Sequence, residues 1–133
     1  MATRTEQRRA AVWALYQSDL LDRPLDFPED THRFTQQLAE AVRAHQDELD
    51  LLIRRHSKGW TLNRIAPLER SILRVALLEI TAPEAEPGNR PIPPEGAIDE
   101  AVETAKEFCG ADAPKFINGV LAAALRELQS DAG

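Results

Sequence analysis

The sequence predicts an all-α helical bundle, and three observations predict it. Every clear apolar pattern recurs at the 3.6-residue spacing of a helix, and no stretch alternates apolar and polar residues as a half-buried strand would. No internal repeat is evident. The one long segment that cannot continue a helix is TAPEAEPGNRPIPP, which holds five of the chain's nine prolines.

Taken in order, residues 4 to 21 place Val12, Trp13, Tyr16, Leu20 and Leu21 on one side, with no Gly or Pro before Pro24. Residues 31 to 56 continue with Phe34, Leu38, Ala41, Val42, Leu49, Leu52 and Ile53. A break is expected near His45, and Gly59 ends the block as a helix C-cap glycine does. From Ile65 to Ile80, Leu68, Ile72, Val75, Ala76 and Ile80 form an apolar stripe, and Pro67 suits a first turn, where its missing N–H costs nothing. The proline-rich segment, about 82–95, is expected to be irregular or polyproline-like. Beyond it Ile98, Ala101, Val102, Ala105 and Phe108 fall at i, i+3, i+4, i+7 and i+10, and Gly110 closes that helix. Asp112 is the expected N-cap of the last helix, whose buried stripe is Ile117, Leu121, Ala124, Leu125 and Leu128.

A chain of 133 residues suits a single domain, 1–133, long enough to bury roughly two-thirds of its unfolded surface. The helices divide into halves at about 1–57 and 60–129. Cys109 is the only cysteine, so no disulfide framework or thiol-pair zinc site is expected, and the usage fits a reducing cytoplasm. MATRTEQRRA is followed by no apolar stretch of the secretory kind, and nothing approaches the 18 apolar residues of a spanning helix. His32, His45 and His56 are spread without metal-ligand spacing, and Cys109 has no His near it in sequence; no metal, cofactor or catalysis is expected.

The net charge of −6 is unlike that of most nucleic-acid binders, so distribution decides. Arg4, Arg8 and Arg9 make the start of the chain positive, and Arg54, Arg55, Lys58, Arg64, Arg70 and Arg74 make a second basic run. Local steering of an anion is one reading, and a solvated mixed surface is the other. Arg70 and Arg74, four apart, would repel if both were solvated, so pairing with carboxylates such as Glu69 or Glu79 is expected.

Three segments carry a family resemblance. RRAAVWALYQ looks like an arginine-rich start running into an "ALY" helix. WTLNRIAPLERSILRVALLEI carries R-x-x-L-R-x-A-x-x-E at Arg70, Leu73, Arg74, Ala76 and Glu79. AIDEAVETAKEFCGADAPKFINGVLAAAL, with its FINGVL, resembles a family segment of the form INEAVELAK-F … KFVNGVLD, with Asp99 standing for the Asn. Together these resemble the NusB family of transcription antitermination factors.

The resemblance implies an all-α fold of two helical subdomains that binds a boxA-type single-stranded RNA together with NusE, a small ribosomal protein. It places such a protein in the RNA polymerase antitermination complex on ribosomal RNA operons. NusB-like domains also occur ahead of an RNA methyltransferase domain; this chain ends at Gly133 without a Gly-rich nucleotide loop, so the free-standing factor is expected. Arg4, Arg8 and Arg9 would meet phosphates. Tyr16, Phe108 and Phe116 are the candidates for base stacking, with Asp112 and Lys115 flanking and Glu69 on the central helix. For Phe108, core packing is the alternative. Asn118 and Gly119 would allow close backbone approach or tight helix packing. If three or four phosphates are met, log K should fall against log salt with a slope of about −2 to −3. Replacing Arg8 and Arg9 together by Ala is expected to weaken RNA binding while moving stability by about 0.5 kcal/mol or less. The alternative function is a helical protein-interaction module, or a homodimer, with little RNA binding of its own.

Overall fold

Thr3 starts the first helix. Its Oγ1 accepts from the Glu6 N–H at 3.1 Å, while the Glu6 carboxylate accepts from the Thr3 N–H at 3.2 Å, a reciprocal cap that satisfies two otherwise orphaned donors. A computed structural model describes residues 2–59, 61–85 and 91–132. It contains α1 (Arg4–Leu20), α2 (Arg33–Ala44), α3 (Gln46–His56), α4 (Pro67–Thr81), α5 (Pro94–Phe108) and α6 (Ala113–Ala132), with 3₁₀ turns at Leu62–Arg64 and Pro83–Ala85. Among the described residues there is no strand.

The expected breaks fall where the chemistry puts them. His45 ends α2 and starts α3. After α3, Lys58 and Gly59 turn the chain with positive φ, at 49° and 89°; only Gly59 takes that conformation without steric cost. Pro67 and Pro94 stand in the first turns of α4 and α5. In the proline-rich segment, Pro93 has polyproline-like angles of −59° and 149° and the irregular part stops before Pro94, whereas residues 86–90 of the expected loop lie outside the described residues.

Two helices bury different faces from those their apolar patterns predict. On α1 the buried line is Gln7, Arg8, Ala11, Val12, Leu15 and Ser18, while Leu20 and Leu21 are 57% and 54% exposed. Small and hydrogen-bonded residues let α2 and α4 approach this side; Thr35 of α2, for example, donates to the Gln7 carbonyl at 3.0 Å. Helix α4 has no solvent face over residues 71–80, all of them buried, because α1, α2, α3, α5 and α6 all pack against it. Leu73, Leu77 and Leu78, off the predicted stripe, are fully buried.

The polar residues on α4 are therefore tied inward. Arg74 grips both oxygens of Asp50, at 2.7 and 3.1 Å, and reaches Asp19 at 2.8 Å. Arg43 holds the other oxygen of Asp19 at 2.7 Å, so one network joins the first four helices. The carboxylates expected for Arg74 were Glu69 or Glu79; Asp19 and Asp50 take that place. Arg70 instead donates to the Leu62 carbonyl at 3.3 Å.

Candidate nucleic-acid interface

The three N-terminal arginines do not share one environment. Arg4 is exposed, donates to Gln7 Oε1 at 2.6 Å and lies 3.9 Å above the centre of the Phe34 ring. Arg8 is buried, with Nε 2.9 Å from Glu79 and Nη1 4.0 Å from Glu100, whose carboxylate also accepts from Thr5 at 2.7 Å. Arg9 turns to the other side, paired with Glu107 and 5.6 Å from the centre of the Phe108 ring. Its Nε is buried and has no hydrogen-bond partner among the described residues.

Phe108, at the end of α5, is 40% exposed. It meets Trp13 edge-on at 5.2 Å, and Trp13 meets Tyr16 edge-on at 5.6 Å. Edge-to-face contacts of this kind hold rings in place. A ring fixed on one side, open on the other and flanked by a guanidinium can receive a nucleobase.

A second cluster lies where the turn between α5 and α6 faces the start of α4. A groove of about 450 Å³ is lined by Arg64, Ile65, Ala66, Glu69, Gly110, Ala111, Asp112, Ala113 and Phe116. Burial pushes the Glu69 carboxyl above its ordinary range. Burial, and then the Glu69 charge, likewise push the Cys109 thiol up, which keeps it protonated and a poor nucleophile. Among the described residues, no group of three or more His, Cys, Asp and Glu side chains could hold a metal ion, and no helix is long and apolar enough to cross a membrane.

Comparison with known proteins decides what this arrangement belongs to. The model of the NusB family matches residues 5–126. The transcription antitermination protein NusB of Halalkalibacterium halodurans is 41% identical over 122 residues, covering 86% of this chain and 87% of the relative. That of Bacillus subtilis is 40% identical over 126 residues, covering 89% and 91%. The chain belongs to the NusB family. The solved structure of T. maritima NusB superposes with a TM-score of 0.80 at 28% identity, over 95% of this chain and 92% of that one. NusB solved with NusE and double-stranded RNA shares the fold, with a TM-score of 0.76 at 23% identity over 93% and 96% of the two chains.

Set on this NusB fold, the residues singled out from the sequence fall into groups. Tyr16, Phe108 and Arg9 stand together through Trp13, and Glu69, Asp112 and Phe116 line the groove. Lys115 and Asn118 are exposed on α6 outside the groove lining, and a Cβ placed on Gly119 would meet nothing within 4 Å, so that glycine serves no tight helix packing. Arg8 corrects an expectation: it is no free surface cation, because Glu79 and Glu100 hold it under α1. Sequence reasoning missed Trp13, assigned to an apolar stripe, and Glu107, whose partner Arg9 is 98 residues away. The T-x-x-E spacing of Thr3 and Glu6 was the readable signal for where α1 begins.

Proposed function

We propose that this chain is a transcription antitermination factor that binds boxA-type single-stranded RNA together with NusE, as part of an RNA polymerase antitermination complex in the cytoplasm. It acts by binding, not by catalysis. The observation that carries the reading is membership of a family whose relatives at about 40% identity are transcription antitermination proteins. The geometry supports it with an exposed, braced Phe108 beside Arg9, and with Arg4 and Lys115 exposed near the starts of their helices. Tyr16, Glu69, Asp112, Phe116 and Asn118 complete the RNA-facing set, with Arg8 bracing α1 beneath it. We assign the work to one domain, 1–133, whose halves at about 1–57 and 60–129 share α4 as a common centre.

Withdrawing Arg8 from the phosphate contacts lowers the electrostatic expectation. Arg4, Arg9 and Lys115, at roughly −0.7 each when fully free, limit the slope of log K against log salt to about −2 at its steepest. Binding by this acidic chain alone is therefore weak, and a basic NusE surface would strengthen it. Titrating labelled boxA-type RNA with the chain alone and with NusE tests this. Tighter binding and a steeper salt slope with NusE are expected; equal affinity in both cases refutes the joint surface.

A second reading, a protein-interaction module or homodimer with little RNA binding, is favoured by one observation. Leu20, Leu21 and Leu51 are 57%, 54% and 52% exposed. Absence of RNA binding in both titrations would establish it over the first.

A further inference from the structure

We propose that Glu107 is an internal competitor for RNA phosphate: its carboxylate occupies Arg9 in the free protein and is displaced when a phosphate arrives. The inference rests on the RNA-binding reading above and adds a residue to it.

Three observations support it. Glu107 is the acid that pairs with Arg9, and the pair is open to water, its side chains 55% and 23% exposed. An ion pair this open holds little net energy and opens readily. Arg9 does not depend on Glu107 for its position, since its guanidinium also sits over Phe108, which Trp13 braces. When the carboxylate leaves, the cation stays beside the ring, and Glu107 swings into solvent. A phosphate diester offers the same anionic oxygens as the carboxylate and can take its place. The neighbouring base can then pack against the exposed part of Phe108.

Charge balance gives a measurable signature. A free arginine that meets a phosphate releases a condensed counterion from the RNA. Arg9 must first leave Glu107, and salt screens that pair, so its opening becomes easier as salt rises. The two salt effects oppose one another, so Arg9 contributes less to the salt slope while Glu107 is present. Removing the Glu107 charge should unmask that contribution.

The test measures binding of labelled boxA-type RNA to the NusE complex across a salt series, by fluorescence anisotropy. Glu107→Gln is expected to tighten binding roughly two- to fivefold, the equivalent of an exposed ion pair. Its salt slope should steepen by up to about 0.7, one single-strand phosphate contact. In Arg9→Ala/Glu107→Gln both gains should vanish. Glu103→Gln is the charge control, for Glu103 lies on the same helix and pairs with Lys106 instead. An equal gain in Glu103→Gln, or a gain that persists in the double variant, would show a bulk charge effect and overturn the proposal. Unchanged binding in Glu107→Gln while Arg4→Ala weakens it would remove the competitor and leave the RNA reading standing. No RNA binding by any variant in the presence of NusE would sink both.

Discussion

Arg8 and Arg9 are consecutive on α1, and each meets a glutamate, yet the two pairs live in different media. Arg8 and Glu79 are 11% and 2% exposed, with Glu100 alongside, between α1, α4 and α5. Arg9 and Glu107 sit at the rim, more than half of the Glu107 side chain in water. In the first pair each charge has lost most of its hydration and depends on the other. In the second, water can replace either partner. One helical step of about 100° separates a structural tie from an exchangeable contact.

That contrast can be broken by mutation. Arg8→Ala leaves Glu79 buried without its main cation and should cost about 3–5 kcal/mol, read as a lower denaturation midpoint at unchanged m-value. Arg8→Met with Glu79→Leu should recover most of it, since an apolar pair of similar volume carries no stranded charge. If Arg8→Ala melts like the parent, the inner pair is not the tie described here. Replacing Arg8 and Arg9 together should therefore lower stability, contrary to the expectation from sequence, and any loss of RNA binding must be measured on the folded fraction.

Smaller effects sharpen the comparison. Thr3→Ala removes the cap of α1 and should cost about 1 kcal/mol in thermal or chemical melts, with the helix otherwise intact. Arg9→Ala should change stability by about 0.5 kcal/mol or less, and a large loss would place the outer pair in the same class as the inner one. The smallest effect concerns pH. The Glu69 carboxyl is raised by burial, so the folded state holds its proton more tightly than the unfolded chain. Its contribution to stability is full below the ordinary glutamate range and is lost as pH rises through the raised value. Glu69→Gln removes this dependence and also a charge that raises the Cys109 thiol. Alkylation of Cys109 at mildly alkaline pH should then quicken modestly, and an unchanged rate would leave burial as the sole cause.

The helices were legible because each is bounded by local chemistry: His45 between α2 and α3, Gly59 after α3, Pro67 and Pro94 in first turns. The faces were less so. Leu20 and Leu21 drew the reading of α1 away from its true seam, where Ala11 and the hydrogen-bonded Gln7 and Ser18 count for more than large apolar groups. On α4, the expected partner of Arg74 is a carboxylate of its own helix, such as Glu69 or Glu79. Its partners Asp50 and Asp19 instead lie 24 and 55 residues away, and Glu79 meets Arg8, 71 residues away. Ion pairs over such separations leave no periodic trace. The site divided in the same way: the family motif pointed to Phe108, Asp112 and Phe116, while the pairing of Arg9 with Glu107 needed the fold.

The burial of α4 on every side also sets a timescale. A rim helix can fray or lift while the rest stays folded, and its amides then exchange with solvent through small openings. No such partial motion frees residues 71–80, which the other five helices surround. Their amide protons should exchange only when the whole bundle opens, so at alkaline pH, where exchange outruns refolding, their exchange rate should time global unfolding. The guanidinium of Arg74, fastened to α1 and α3, keeps that clock at the centre of the molecule, while the Arg9–Glu107 pair at its edge stays open to water.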